Sequence, residues 1–104
     1  MGFIETPAFT SKLPELLSDD DFRLLQQALA SKPDLGPKIP GTRGIRKLRW
    51  PARGKGKRGG ARVIYYWFNA RDRILLLYLY SKNERDDLTA AQLRILRLVE
   101  EDYR

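Results

Sequence analysis

The chain has 104 residues, 42% hydrophobic and 32% charged, with 20 Lys and Arg against 13 Asp and Glu, a net charge of +7 and a pI near 10.0. That size suits one domain with a modest core, so residues 1–104 are read as a single domain; no apolar run resembles a signal peptide or a membrane span, which points to the cytoplasm and to no membrane partner. With no Cys and no His, disulfides, Cys- or His-based metal sites and the usual general base near neutral pH are excluded, and acid–base chemistry falls to Lys, Arg, Tyr or a carboxylate.

Gly2 to Glu5 are compatible with a short first strand. Thr6-Pro7 reads as a helix N-cap with Pro at the first helical position. This helix gathers Phe9, Leu13, Leu16 and Leu17 on one face, and Pro14 is expected to kink or end it. Ser18, followed by Asp19, Asp20 and Asp21, starts a second helix, the acids lying at the positive end of its dipole. Phe22, Leu25 and Leu29 form its stripe, widened by Leu24 and Ala28, and Lys32-Pro33 with Leu35-Gly36-Pro37 stop it. Residues 7–32 therefore read as a helical hairpin covering a core.

Lys38 to Arg62 holds ten of the twenty basic residues and no acid, so the remainder carries ten basic and thirteen acidic residues. Ten cations repel one another, which a polyanionic partner would relieve; the plain alternative is a solvated basic loop that aids solubility. Pro40 to Gly44 is turn chemistry. In the strand Ile45 to Trp50, the period of two puts Ile45, Lys47 and Arg49 on one face, with Lys47 and Arg49 about 7 Å apart. A bound phosphate would relieve their repulsion. Gly54 to Gly60 is a glycine-rich turn without the spacing or the closing Lys-Ser or Lys-Thr of a P-loop.

Arg62 to Asn69 reads as a central strand, apolar on both faces. Arg62 shares the parity of Ile64, Tyr66 and Phe68. Its aromatic residues are first of all core, with base stacking on an exposed Tyr the lesser reading. Ala70 to Arg73 then makes an antiparallel hairpin with Ile74 to Ser81. The last helix opens on the capping box Thr89-Ala90-Ala91-Gln92, and Leu93, Leu96, Val99 and Tyr103 give its face, with Ile95 and Leu98 adding to it.

The stretches PGTRGIRKLRW, GKGKRGGARVIYYW and LLYLYSKNERDDLT together resemble a RelE/HigB-type toxin of bacterial type II toxin–antitoxin systems, closest to the HigB branch, over nearly the whole chain. The resemblance implies an α+β fold: a small twisted antiparallel sheet of three to four strands, an N-terminal helical hairpin on one face and a C-terminal helix. It implies a metal- and cofactor-free endoribonuclease that cuts mRNA on the ribosome, the ribose 2′-hydroxyl attacking the neighbouring phosphate. Lys47 and Arg49 fall on the family's basic strand pair and Arg62 on its strand-opening arginine. The later cationic position falls on Asn83, with Lys82 the nearest substitute, and the tyrosine some members place at the last helix start is Thr89. In that scheme Lys47 accepts the proton, Arg62 stabilises the phosphorane, and Arg49 or Lys82 positions the phosphate. Arg43, Arg46, Arg53, Lys55, Lys57 and Arg58 are expected to hold ribosomal RNA. A cognate antitoxin, helix-turn-helix and HigA-type, is the implied protein partner. Two alternatives use the same residues: a non-catalytic ParE-like gyrase inhibitor, and a plain basic nucleic-acid-binding module.

Overall fold

The computed structural model describes residues 1–51, 60–84 and 87–104, so the basic turn carrying Arg53, Lys55, Lys57 and Arg58 lies outside the described residues. The order is β1 (Gly2–Glu5), α1 (Pro7–Leu16), α2 (Asp19–Ser31), β2 (Arg46–Trp50), β3 (Ala61–Phe68), β4 (Arg73–Ser81) and α3 (Ala90–Asp102). Three N-caps form as their side chains dictate: Thr6 Oγ1 accepts from Phe9 N, Ser18 Oγ from Asp21 N, and Thr89 Oγ1 from Gln92 N, with Gln92 completing the capping box. Pro14 falls in the last turn of α1, and the helix ends two residues later.

The sheet order is β1-β4-β3-β2. β2–β3 and β3–β4 are antiparallel, but β1 runs parallel to β4, so the sheet is mixed rather than antiparallel throughout. The direction of β1 follows from what it must feed. Its end meets the middle of β4, where Thr6 N donates to Leu76 O and Thr6 Oγ1 to Leu77 O, and the chain turns there into α1.

Each sheet face has its own covering layer. Val63, Tyr65, Ile74, Leu76 and Leu79 pack with Phe9, Leu16, Leu17, Leu25 and Leu29 of α1 and α2. Ile45, Ile64, Leu75, Leu77 and Tyr80 pack on the opposite side with Leu96 of α3. Burial on both faces is what the apolar runs of β3 and β4 require. The α3 stripe is narrower than the sequence suggests: Ile95 and Leu98 are each 60% exposed, while Glu100 is buried. Glu100 tolerates burial because Arg104 Nε and Nη2 both donate to its carboxylate, and the Arg104 guanidinium also lies 5.4 Å from the Tyr66 ring centre.

A β-bulge breaks the β3–β4 register. Ile64 pairs with Tyr78 and Tyr65 with Leu76, so Leu77 has no opposite residue. Leu75 and Leu77 face α3 before the bulge, and Tyr78 and Tyr80 face it afterwards. Uninterrupted alternation would have turned both tyrosines toward α1 and α2.

Candidate active site

β2 is held at the sheet edge by the segment just before it. Lys47 N donates to Pro37 O at 3.0 Å, Ile39 N donates to Ile45 O at 2.7 Å, and Lys38 bridges Arg46. Tyr65, fully buried in β3, fixes this segment from below. Its hydroxyl accepts from Gly36 N at 2.9 Å and donates to Pro33 O at 2.8 Å. Burial pushes the Tyr65 hydroxyl above its ordinary pKa, offset in part by the Gly36 hydrogen bond. Gly36 must be glycine here, since a Cβ would lie 2.9 Å from Lys47 O and 3.1 Å from the Tyr65 ring.

The register turns three cations to one side. Arg49 pairs with Arg62, which pairs with Tyr80, and Lys47 pairs with Ile64 two residues along. Ile64 and Tyr80 lie on the α3 side, so Lys47, Arg49 and Arg62 share that face. Arg49 is exposed, Lys47 is half-buried and Arg62 is only 6% exposed. Like charges directly opposite on neighbouring strands destabilise a sheet, and an anion held between them reverses the sign.

One acid is already in place. Asp87, in the stretch leading into α3, has its Oδ1 2.7 Å from Lys47 Nζ. Both residues line a cavity of about 180 Å³ with Pro37, Ile39, Tyr80, Leu88 and Leu93. By sequence alone Asp87 is no more than part of the approach to a helix. Its partner lies forty positions away in the chain, and local spacing carries no trace of such a pair.

The remaining expected site residues are spread out. Lys82 sits in the turn after β4, exposed, its backbone N donating to Gly60 O. Glu84 in the same turn pairs with Lys12 of α1 at 3.6 Å, which ties the turn to the helical layer. Arg46 points to the opposite face from Lys47, where its Nη1 donates to Gly36 O and Asp34 O; it braces the segment before β2. Arg43 is exposed at φ +60 in the turn before β2, and with Lys38, Arg46, Tyr66, Trp67 and Asn69 it borders a separate notch of about 230 Å³.

Residues 33–104 match the model of a family described as the RelE toxin of the RelE/RelB toxin–antitoxin system. The chain belongs to the RelE toxin family. The fold agrees: a mutant of the E. coli toxin RelE in the free state superposes with a TM-score of 0.61 at 10% identity, over 95% of each chain. The matched span takes in β2, β3, β4 and α3, hence every residue of the cationic face and its acidic neighbour. Membership of a toxin–antitoxin family implies an antitoxin partner. No helix among the described residues is long and apolar enough to cross a membrane.

Proposed function

We propose that this RelE-family toxin is a ribosome-dependent mRNA endoribonuclease of the HigB type, working in the cytoplasm without metal and restrained by a helix-turn-helix antitoxin. The observation that carries the reading is the directly opposed pair Arg49 and Arg62, with Lys47 on the same face. Opposed guanidinium groups suit a dianionic transition state better than a protein surface, because each offers a planar fork to phosphate oxygens.

In the proposed reaction the ribose 2′-oxygen attacks the adjacent phosphorus, the bond to the 5′-oxygen breaks, and a 2′,3′-cyclic phosphate and a free 5′-hydroxyl result. Arg49, the exposed member, receives the phosphate. Arg62, buried beside it, is fixed before charge develops, which is the condition for electrostatic stabilisation of a transition state. Lys47, the proton acceptor expected from the sequence, donates to Asp87 Oδ1, and in this reading it acts as an ammonium, which has no acceptor capacity. It serves as a phosphate ligand and as a proton source for the leaving oxygen. Lys82, past the end of β4, contributes a phosphate contact at the periphery.

The test is to incubate the toxin with translating ribosomes and map the RNA ends. Cleavage within codons, leaving 5′-hydroxyl ends, supports the reading. Growth arrest with intact mRNA overturns it in favour of a non-catalytic toxin.

A further inference from the structure

The reaction above leaves the 2′-hydroxyl proton without a destination. Arg49 and Arg62 have no lone pair to offer, Lys47 is a donor, and the chain has no His. Among the described residues, Asp87 is the carboxylate seen paired with this cationic face. It is accessible, its side chain being 75% exposed against 24% for Lys47. Both residues line the 180 Å³ cavity, whose apolar lining includes Pro37, Ile39, Leu88 and Leu93. A nucleoside with its base against that apolar lining can present its ribose to Lys47 and Asp87.

We propose that Asp87 is the catalytic proton acceptor and that this cavity receives the nucleoside on the 5′ side of the scissile bond. Incoming phosphate takes over Lys47, whose exposed pairing with Asp87 is weak enough to give way. The released carboxylate takes the proton from the 2′-hydroxyl as that oxygen bonds to phosphorus. The phosphorus–O5′ bond breaks, its electron pair leaves with the oxygen, and a proton from the Lys47 ammonium completes the 5′-hydroxyl. Asp87 gains one proton and Lys47 loses one, and exchange with solvent restores both.

This inference rests on the nuclease reading, and one experiment separates their fates. Wild type and Asp87→Asn are compared on mRNA-programmed ribosomes for single-turnover cleavage and for binding, with thermal melts of both proteins. The expected result is cleavage slowed about 100-fold or more, the usual range for loss of a positioned base. Ribosome binding should be unchanged or tighter, since a negative charge has left an anion-binding face, and the melt should be unchanged. Asp87→Asn cutting within a few-fold of an active wild type overturns the assignment of Asp87 alone. Loss of binding or of folding in parallel with rate likewise overturns it, making the residue a structural one. An inactive wild type overturns the nuclease reading and this inference with it.

Discussion

Arg49 stands directly opposite Arg62 across the β2–β3 ladder, two cations in a position where neighbouring strands ordinarily place complementary side chains. The proposed phosphate-binding role gives the pair a use. Arg62→Ala and Arg49→Ala should each lower ribosome-dependent cleavage, Arg62→Ala by about 10²–10³-fold, the range for removing one preorganised oxyanion donor. Arg49→Ala should leave the melting temperature unchanged or raised. A folded Arg62→Ala protein with near-normal cleavage would remove Arg62 from the mechanism.

On the proposed reading, the basic residues between β2 and β3 serve affinity rather than chemistry. Replacing Lys55, Lys57 and Arg58 with Gln should weaken ribosome binding and flatten its salt dependence, by about 0.7–0.9 in log–log slope for each phosphate no longer neutralised. Binding measured from low to physiological salt checks this, and an unchanged slope would exclude those residues from the RNA interface.

Tyr65→Phe tests the brace beneath Lys47. It leaves Gly36 N and Pro33 O without their partner, at a cost of about 1–3 kcal/mol. For a chain of this size that is a fall of at least about 4 °C in melting temperature. The pH dependence has a definite sign. Folding raises the Tyr65 pKa above its ordinary 10.0, so above that pH the unfolded chain releases a proton that the folded chain keeps. The stability linked to this group is complete below pH 10 and declines as pH rises through the folded value. Alkaline urea titrations should show that decline in wild type, and Tyr65→Phe should lack this component.

Gly60→Ala and Gly41→Ala form a matched pair. Both glycines have positive φ, +69 and +78, so each substitution carries the left-handed penalty of about 1–2 kcal/mol. At Gly41 a Cβ meets nothing within 4 Å, whereas at Gly60 it would sit 2.3 Å from Trp50 O. Denaturant titration should find Gly60→Ala clearly the more destabilising, with cleavage reduced as well because the clash lies beside the Arg49–Arg62 rung.

Arg104→Ala should destabilise the packing of α3. Glu100 is buried and both of its carboxylate oxygens accept from Arg104. Removing the guanidinium strands that carboxylate at a cost of about 1–3 kcal/mol, and Glu100→Gln in the same background should recover part of it. Equal thermal melts for wild type and Arg104→Ala would refute this coupling.

Local chemistry in the sequence announces most of the elements. Thr6, Ser18 and Thr89 cap the helices that their side chains imply, and β2, β3 and β4 begin and end within a residue or so of their expected limits. The parity of Lys47, Arg49 and Arg62 is readable because a regular strand alternates without exception. What is not readable depends on pairing across the fold. The parallel placement of β1 is decided by where Thr6 bonds to β4, more than seventy residues away in sequence. The charge of Arg46 alone suggests RNA, but its side chain bonds to carbonyls on the other face. Hydropathy turns Ile95 and Leu98 inward and the charged Glu100 outward; once Arg104 neutralises Glu100, the inner line of α3 runs elsewhere.

The unmatched Leu77 decides which way the end of β4 faces. Were Ile64 to pair with Leu77 in place of Tyr78, unbroken alternation would carry the phenol rings of Tyr78 and Tyr80 through the sheet into the layer of α1 and α2. The hairpin would still zip up, but the tyrosine wall of the Lys47–Asp87 hollow would be gone. One amino acid of slack in a strand thus sets which side of the protein has tyrosines for a floor.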